Sequence, residues 1–323
     1  MDNMRTYFRY TLTIVTLMLV YACAPVNDDS LMTESGSGTH KLNLRFSIMH
    51  DGYLVKCKAG RLGFTNIGET KQDPVSIETF AFYLHQLRLR FTGTSEPILF
   101  NMLNNYWQYD GTALISAANV CDEKNIEKSA ESTSDMGEKS LSNYVVSSMI
   151  DEHAFSTLSN RMSTAKSQTE QETSRTSLNF LIGVPFLQNH ANPLTQSSPL
   201  NIASMFWSWQ MGYKFMRVDL RSSTDSFAFH LGSTGCQSAS RVRAPASECE
   251  QPNRVPISLD LKPEHIGITE NEVTINIAIQ VDQLLNGITI SRENACMFAG
   301  IDQQKQCAHF LQSLAHQKVF KAI

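Results

Sequence analysis

Alternation of polar and apolar residues constrains the fold of this 323-residue chain more than any other feature of its sequence. Residues 273–281 alternate Val and Ile with Thr, Asn, Ala and Gln, and residues 42–48 and 255–261 show the same two-residue period. Successive side chains of a strand point to opposite faces, so each segment presents one apolar face that a second sheet must cover. Residues 80–90 and 178–186 are further strand candidates, as is the segment 107–115. We therefore predict an all-β fold, an antiparallel, immunoglobulin-like β-sandwich with long loop insertions.

Two regions depart from the strand pattern. From about residue 122 to 176, Ser, Thr, Glu and Lys dominate, and apolar residues cluster only around 144–146. Such a segment buries too little apolar surface to order fully, so we predict a polar insertion, partly helical or mobile, within one domain at 41–323. Near the C-terminus, the spacing of Phe310, Leu311 and Leu314 predicts a short helix within about 303–320.

The start of the chain has the features of a bacterial export signal. A positively charged beginning precedes a short apolar stretch at 11–20, and Val20-Tyr21-Ala22-Cys23 is similar to a lipobox, in which the cysteine is lipidated. We predict a lipoprotein signal peptide at 1–22, lipidation of Cys23 and a flexible tether at 23–40.

The predicted location follows from this signal. Ala24, which is not an Asp, follows the lipidated cysteine and indicates the outer membrane of a Gram-negative cell, so we expect a lipid-anchored protein on its periplasmic face or its surface. The alternative is cleavage near Ala22 or Ala24, which would release a soluble periplasmic protein.

Six cysteines remain after Cys23, and an even number in an exported chain favours disulfides. None of them is spaced as CxxC, so the sequence does not indicate a zinc cluster. Close spacing favours two local pairs and leaves a third: Cys236 with Cys249, Cys296 with Cys307, and Cys57 with Cys121. This connectivity is one of about fifteen possibilities and depends on sequence proximity alone.

Residues 183–236 contain most of the chemistry-bearing side chains. If residues 205–215 form one strand, Trp207 and Trp209 share an aromatic and thioether face. His190 lies in a turn before this strand, and His230 ends a short strand after it. Two neutral imidazoles suit copper, zinc or nickel, and nearby Met sulfur favours Cu(I). Ordinary core packing of the aromatic residues is the alternative.

Five sequence blocks, in this order, resemble the MbnP-like family of exported copper-binding proteins, also called metallo-mystery pair four-Cys motif proteins. The blocks are Gly183-Val184-Pro185-Phe186, Asn189-His190, Pro199-Leu200-Asn201, Trp207-Ser208-Trp209-Gln210 with Gly212-Tyr213-Lys214-Phe215, and Phe229-His230-Leu231-Gly232-Ser233-Thr234-Gly235-Cys236. The resemblance covers roughly residues 41–315, apart from most of the polar insertion.

The resemblance implies a copper site built from two histidines and a tryptophan that has been oxidised to kynurenine. The oxidant would be a partner di-haem cytochrome c peroxidase-like protein, similar to MbnH or MauG. Carried onto this sequence, the ligands are His190, His230 and Trp207, with Trp209 as the second choice for modification. The implied function is copper acquisition or storage outside the cytoplasm.

Composition and motifs exclude other classes of protein. The net charge is -4, the isoelectric point is about 6.1, and no cluster of Lys and Arg indicates nucleic-acid binding. The sequence has no GxSxG, P-loop, GxGxxG, HExxH or CxxCH motif, so we expect no intrinsic enzymatic activity. The main alternative is a metal-free structural or adhesive β-sandwich surface lipoprotein, and an enzyme with an unrecognised site is a further one.

Overall fold

The computed structural model describes residues 40–55, 57–58, 61–64, 75–94, 96–117, 142–167, 175–298, 305–315 and 318–323. The predicted signal peptide, Cys23 and nearly all of the tether lie outside these residues. Cys57 lies in a described strand, but its expected partner Cys121 also lies outside the described residues.

The described strands are β1 (His40–His50), β2 (Tyr53–Leu54), β3 (Cys57–Lys58), β4 (Arg61–Phe64), β5 (Val75–Phe91), β6 (Ile98–Leu99), β7 (Asn101–Met102), β8 (Gln108–Tyr109), β9 (Thr112–Ala117), β10 (Ser142–Asn143), β11 (Val145–Ile150), β12 (Thr176–Ile182), β13 (Phe206–Ser208), β14 (Gly212–Tyr213), β15 (Met216–Arg221), β16 (Ser226–Leu231), β17 (Val255–Leu261), β18 (Ile266–Ile268), β19 (Glu272–Gln280), β20 (Cys296–Met297) and β21 (Phe320–Ala322). The helices are α1 (Glu152–Ser167), α2 (Phe186–Asn189), α3 (Val281–Leu284) and α4 (Lys305–Ala315), with 3₁₀ turns at Ala203–Met205, Pro263–His265 and Arg292–Asn294.

Two large sheets form a sandwich, which confirms the predicted fold class. The first sheet has the order β18-β19-β1-β11-β7, with β2 beside β1 and β21 beside β19. The second has the order β10-β9-β5-β15-β16-β20, and β12 extends it by pairing with both β5 and β17. Most pairs are antiparallel, as predicted, but β1 is parallel to β19 and β16 is parallel to β20.

Four phenylalanines join the two sheets in the core. Phe46 of β1 contacts Phe82 and Phe180 of the other sheet edge-to-face, with centroids 5.7 Å and 6.3 Å away. Phe320 of β21 makes the same kind of contact with Phe82 and Phe180, at 5.7 Å and 5.8 Å. Each aromatic pair contributes ~1 kcal/mol beyond its buried area, so this cluster stabilises the stacking of the sheets.

The C-terminal helix α4 confirms the short helix predicted there. Its Phe310 stacks on Phe229 of β16, with the centroids 3.7 Å apart. A disulfide between Cys296 and Cys307 links β20 to this helix. The apolar face of β16 is therefore covered by α4, and the opposite face carries His230.

The segment that we expected to be a polar insertion, 122–176, contains described structure in part. β11 pairs with β1 near the centre of the first sheet, and the sixteen-residue helix α1 follows it. Residues 122–141 and 168–174 of this segment lie outside the described residues. Among the helices that the structure describes, none combines the length and the apolar character needed to cross a bilayer.

Candidate metal centre

The segment predicted to be one strand from 205 to 215 is a short hairpin. β13 and β14 pair with each other, and residues 209–211 form the turn between them. Gly212, at φ +76°, has the left-handed conformation that glycine adopts without steric cost. Trp207 therefore lies in a strand and Trp209 in a turn, so the prediction that they share one strand face is wrong. A two-residue period applies only while the backbone stays extended.

The indole of Trp207 packs directly on the backbone at Gly232, the residue that follows β16. A Cβ atom at Gly232 would lie 2.3 Å from Cζ3 of Trp207 and 2.8 Å from the carbonyl oxygen of Tyr213. Only glycine permits this approach, which explains the glycine that follows His230 by two residues. On another side of the ring, the ammonium of Lys214 lies 5.8 Å from the centroid and donates to the carbonyl of Ser204 at 2.7 Å. Burial lowers the pKa of Lys214, and the charge of Arg217 lowers it further.

His190 is buried at the end of α2, and its ring is oriented by three groups. Its Nδ1 lies 3.0 Å from the main-chain carbonyl of Trp209, which can only accept, so Nδ1 carries the proton. Nε2 then accepts from the side-chain amide of Asn189 at 3.0 Å and lies 3.6 Å from Sγ of Cys249. Burial lowers the pKa of His190, so the imidazole is neutral at neutral pH.

Asn189 connects His190 to the hairpin. Its side-chain oxygen accepts from the main-chain N–H of Tyr213 at 2.8 Å. A Cβ atom at Gly212 would lie 2.3 Å from that oxygen, so the glycine makes room for the amide. The Asn189-His190 block and the Gly212-Tyr213 block of the sequence are therefore two halves of one contact.

The block Pro199-Leu200-Asn201 has a supporting role. The hydroxyl of Tyr83 donates to the carbonyl of Pro199 at 2.8 Å, and the hydroxyl of Tyr213 donates to the carbonyl of Leu200. Both tyrosines are fully buried, and burial raises the pKa of each phenol, so they remain protonated donors. These two hydrogen bonds thus hold the loop that contains the block in place.

His230 lies on the face of β16 opposite to the apolar core, and its surroundings differ from those of His190. Its Nε2 lies 2.7 Å from Oδ1 of Asp219, and Oδ2 of the same carboxylate accepts from Nε of Arg217 at 2.6 Å. Burial raises the pKa of Asp219, but the hydrogen bond and charge of His230 and the charge of Arg217 outweigh it, so the pKa is lowered. Nδ1 of His230 is buried and has no hydrogen-bond partner among the described residues.

A second group of potential ligand atoms surrounds His190. A nitrogen of its ring and the sulfurs of Cys236 and Cys249 all lie within 4.8 Å of one another. The two cysteines, however, form a disulfide in the structure, and the sulfur that binds metals is the thiolate. In this state the imidazole is the group of the three that offers a ligand atom, and the disulfide packs against it.

The predicted ligand residues are related to the β13–β14 hairpin in different ways. His190 contacts the turn through Trp209, and His230 lies two residues before the glycine on which Trp207 packs. Of the predicted disulfides, the two local pairs are present. Asp219 forms an ion pair with Arg217 and a hydrogen bond with His230, and the sequence analysis did not identify it as part of the site. Alternation along β15 and β16 could have placed the two side chains on one face.

Comparisons with known proteins agree with the fold and the motifs. The MbnP family model matches residues 39–298 of the chain. The solved structure of MbnP from Methylosinus trichosporium is similar with a TM-score of 0.57 and 18% sequence identity, over 84% of this chain and 86% of that one. A search of curated proteins gives no match. The family match covers most of the chain and includes every sequence block described above, and the chain therefore belongs to the MbnP family.

Proposed function

We propose that this protein binds copper beside the β13–β14 hairpin through the imidazoles of His190 and His230. The observation that carries the proposal is the buried Nδ1 of His230, which has no hydrogen-bond partner among the described residues. A buried polar atom without a partner costs about 1–3 kcal/mol, so such an atom favours a bound ligand. Membership of the MbnP family supports copper as the metal.

The available donors fit copper. His190 is neutral at neutral pH because burial lowers its pKa, and a neutral imidazole offers one lone pair. Few nitrogen ligands in a partly apolar surrounding suit copper. The indole N–H of a tryptophan is only a donor and cannot bind a metal ion. Trp207 or Trp209 can therefore supply a third ligand only after a chemical change of its ring.

Trp207 is the better candidate for that change. Its ring packs on Gly232, close in the chain to His230, whereas Trp209 contacts His190 through its main-chain carbonyl. We propose that the indole of Trp207 is opened to kynurenine, whose aniline nitrogen is a potential ligand. The C2–C3 bond is cleaved as two oxygen atoms are added, and hydrolysis then releases one carbon as formate.

The four oxidising equivalents would come from two molecules of hydrogen peroxide, which a partner di-haem cytochrome c peroxidase-like protein reduces to water. Trp207 is only partly buried, which supports access by an external oxidant. In this proposal the protein itself is a binding protein and has no catalytic role. The export features of residues 1–22 and Cys23 support a lipid-anchored protein at the outer membrane that acquires or stores copper.

Copper titration of single variants tests the proposal. We expect His190→Ala and His230→Ala to lose high-affinity Cu(I) binding, measured by competition with a chromophoric Cu(I) chelator. His153→Ala is the matched control, because His153 is exposed on α1, and it should bind as the wild type does. Wild-type affinity in both site variants would contradict the proposal.

Peptide mass mapping tests the modification. Protein produced together with the di-haem partner should show, at Trp207, the gain of one oxygen and the loss of one carbon. The same change at Trp209 alone would contradict the choice of Trp207. Intact tryptophans in a metal-free protein would favour the structural or adhesive alternative.

A further inference from the structure

We infer that Asp219 is a positioning residue that selects Nδ1 of His230 as its metal-binding atom. The centre would then use opposite ring nitrogens from its two histidines, Nδ1 of His230 and, once the metal displaces the amide of Asn189 that donates to it, Nε2 of His190. This inference rests on the proposed copper site. It adds a residue outside the ligand set and identifies which atom of each imidazole faces the metal.

The tautomer of His230 follows from the chemistry of its partner. A carboxylate can only accept a hydrogen bond, and the second oxygen of Asp219 already accepts from the guanidinium of Arg217. The contact of 2.7 Å between Oδ1 of Asp219 and Nε2 of His230 therefore requires the proton on Nε2. In the neutral imidazole this leaves the lone pair on Nδ1, which is the buried atom without a partner among the described residues.

Asp219 is itself fixed. Its second oxygen accepts from Nε of Arg217 at 2.6 Å, and the same guanidinium donates to the carbonyl of Ser204 at 3.3 Å. Arg217 stands opposite His230 in the β15–β16 ladder, and Asp219 lies two residues further along the same face. Both carboxylate oxygens are thus used, so the hydrogen bond to His230 has a defined direction.

Among the residues that the structure describes, only Asp219 makes a hydrogen bond to Nε2 of His230. Met297 of β20 is in parallel register with His230 and is 51% exposed, and a thioether is only a weak acceptor. The alternate residues Phe229 and Leu231 point into the core. The carboxylate of Asp219 is therefore the group that determines the tautomer.

In His190 the proton is on Nδ1 instead, and the group that fixes it there is a main-chain carbonyl, which no substitution removes. The main-chain carbonyl of Trp209 accepts from Nδ1, so the lone pair of the neutral ring is on Nε2. Carboxylates and main-chain carbonyls are the usual outer partners of metal-binding histidines, and they fix the ring and raise its basicity. Mutation can therefore test Asp219, the partner of His230, but not the main-chain carbonyl that holds His190.

The test compares Asp219→Asn, Asp219→Ala and Asp219→Glu with the control Asp260→Asn, which changes an exposed carboxylate on β17. Nitrogen NMR of the metal-free protein should show the Nε2–H tautomer of His230 in the wild type and the control. Asp219→Asn should shift the population toward Nδ1–H, because its amide can donate to Nε2. Asp219→Glu should restore the wild-type tautomer in part.

Copper affinity gives the second readout. We expect Asp219→Asn and Asp219→Ala to weaken Cu(I) binding ~10–100-fold, as loss of such an outer partner usually does, with no change in Asp260→Asn. If Asp219→Ala does not fold, the isosteric Asp219→Asn and the charge-conserving Asp219→Glu still decide the question through the tautomer.

The outcomes separate this inference from the proposed function. A proton on Nδ1 of His230 in the metal-free wild type would overturn the inference. So would wild-type copper affinity in Asp219→Asn and Asp219→Ala, provided that His230→Ala has lost copper. If His230→Ala binds copper as the wild type does, the proposed function fails, and the role of Asp219 fails with it.

Discussion

The two histidines of the candidate centre are held in different ways. His190 depends on packing: a main-chain carbonyl, the amide of Asn189 and a disulfide sulfur surround its ring. His230 depends on charge, since an ionised carboxylate backed by Arg217 fixes one ring nitrogen and leaves the other without a partner among the described residues. We therefore expect the His190 end to respond to changes in packing and the His230 end to changes in charge.

Two glycines allow close contacts with the hairpin residues, one beside each histidine in the chain or in space. Gly212 makes room for the amide that orients His190, and Gly232 makes room for the ring of Trp207 near His230. Gly212 needs glycine for its backbone conformation as well as for space, whereas no positive φ is involved at Gly232. Gly212 is thus required for both backbone conformation and space, and Gly232 for space alone.

The largest expected effect comes from the disulfides. Cys236→Ser with Cys249→Ser opens a link between residues 13 apart, and Cys296→Ser with Cys307→Ser one between residues 11 apart. In the chain-entropy model each loss lowers the free energy of unfolding by ~3 kcal/mol. Copper affinity should fall more in the first variant, because only that disulfide touches an imidazole, with Sγ of Cys249 3.6 Å from His190.

Chemical unfolding and copper titration of both double variants would check this difference. Equal stability losses with unequal copper affinities are expected. The packing account of His190 would be wrong if both variants bound copper equally well.

The fold was largely predictable because alternation identifies strands and their buried faces. The segments 42–48, 255–261 and 273–281 all lie within strands of the sandwich. Alternation does not encode the partner or the direction of a strand, so the parallel pairing of β1 with β19, more than 200 residues away, could not be derived. Local cysteine spacing predicted the two disulfides that the described residues form, since closing a short loop costs little conformational entropy.

The candidate site was predictable in its residue types but not in its local geometry. Ordered motifs identified His190, His230 and the tryptophans, yet the turn at 209–211 was read as strand, because the backbone conformation of Gly212 leaves no mark in a two-residue period. The hydrogen bond between Asp219 and His230 joins residues eleven apart on neighbouring strands. Such a contact depends on register, which sequence alone does not specify.

A smaller loss of stability than that caused by removing a disulfide is expected for Gly232→Ala. The new methyl group would lie 2.3 Å from the ring of Trp207 and 2.8 Å from a carbonyl oxygen, so one of them must move. We expect a loss of ~1–3 kcal/mol in the free energy of unfolding, together with a change in tryptophan fluorescence. Gly267→Ala in β18 is the control, since its nearest atoms lie 3.8 Å and 3.9 Å away, and equal stability of the two variants would contradict the close contact.

The smallest expected effect is on the pH dependence of the free energy of unfolding. It involves His85, another buried histidine, which lies outside the candidate centre. Burial lowers the pKa of His85 to about 4, and the charge of Arg254 contributes. In the unfolded chain the pKa of His85 is near 6.5, so between pH 4 and pH 6.5 the unfolded state binds more protons than the folded state. Stability is therefore complete above pH 6.5 and is lost as pH falls toward 4, by ~1 kcal/mol between pH 6 and pH 5.

Urea unfolding at both pH values should show that His85→Gln removes this dependence, whereas His153→Gln, at an exposed position, leaves it unchanged. An unaltered dependence in His85→Gln would mean that another group carries the linkage. His85 belongs to neither end of the centre, so this variant separates acid effects on the sandwich from those on copper binding. If copper affinity still falls with acid in His85→Gln, protons compete with the metal at the imidazoles themselves.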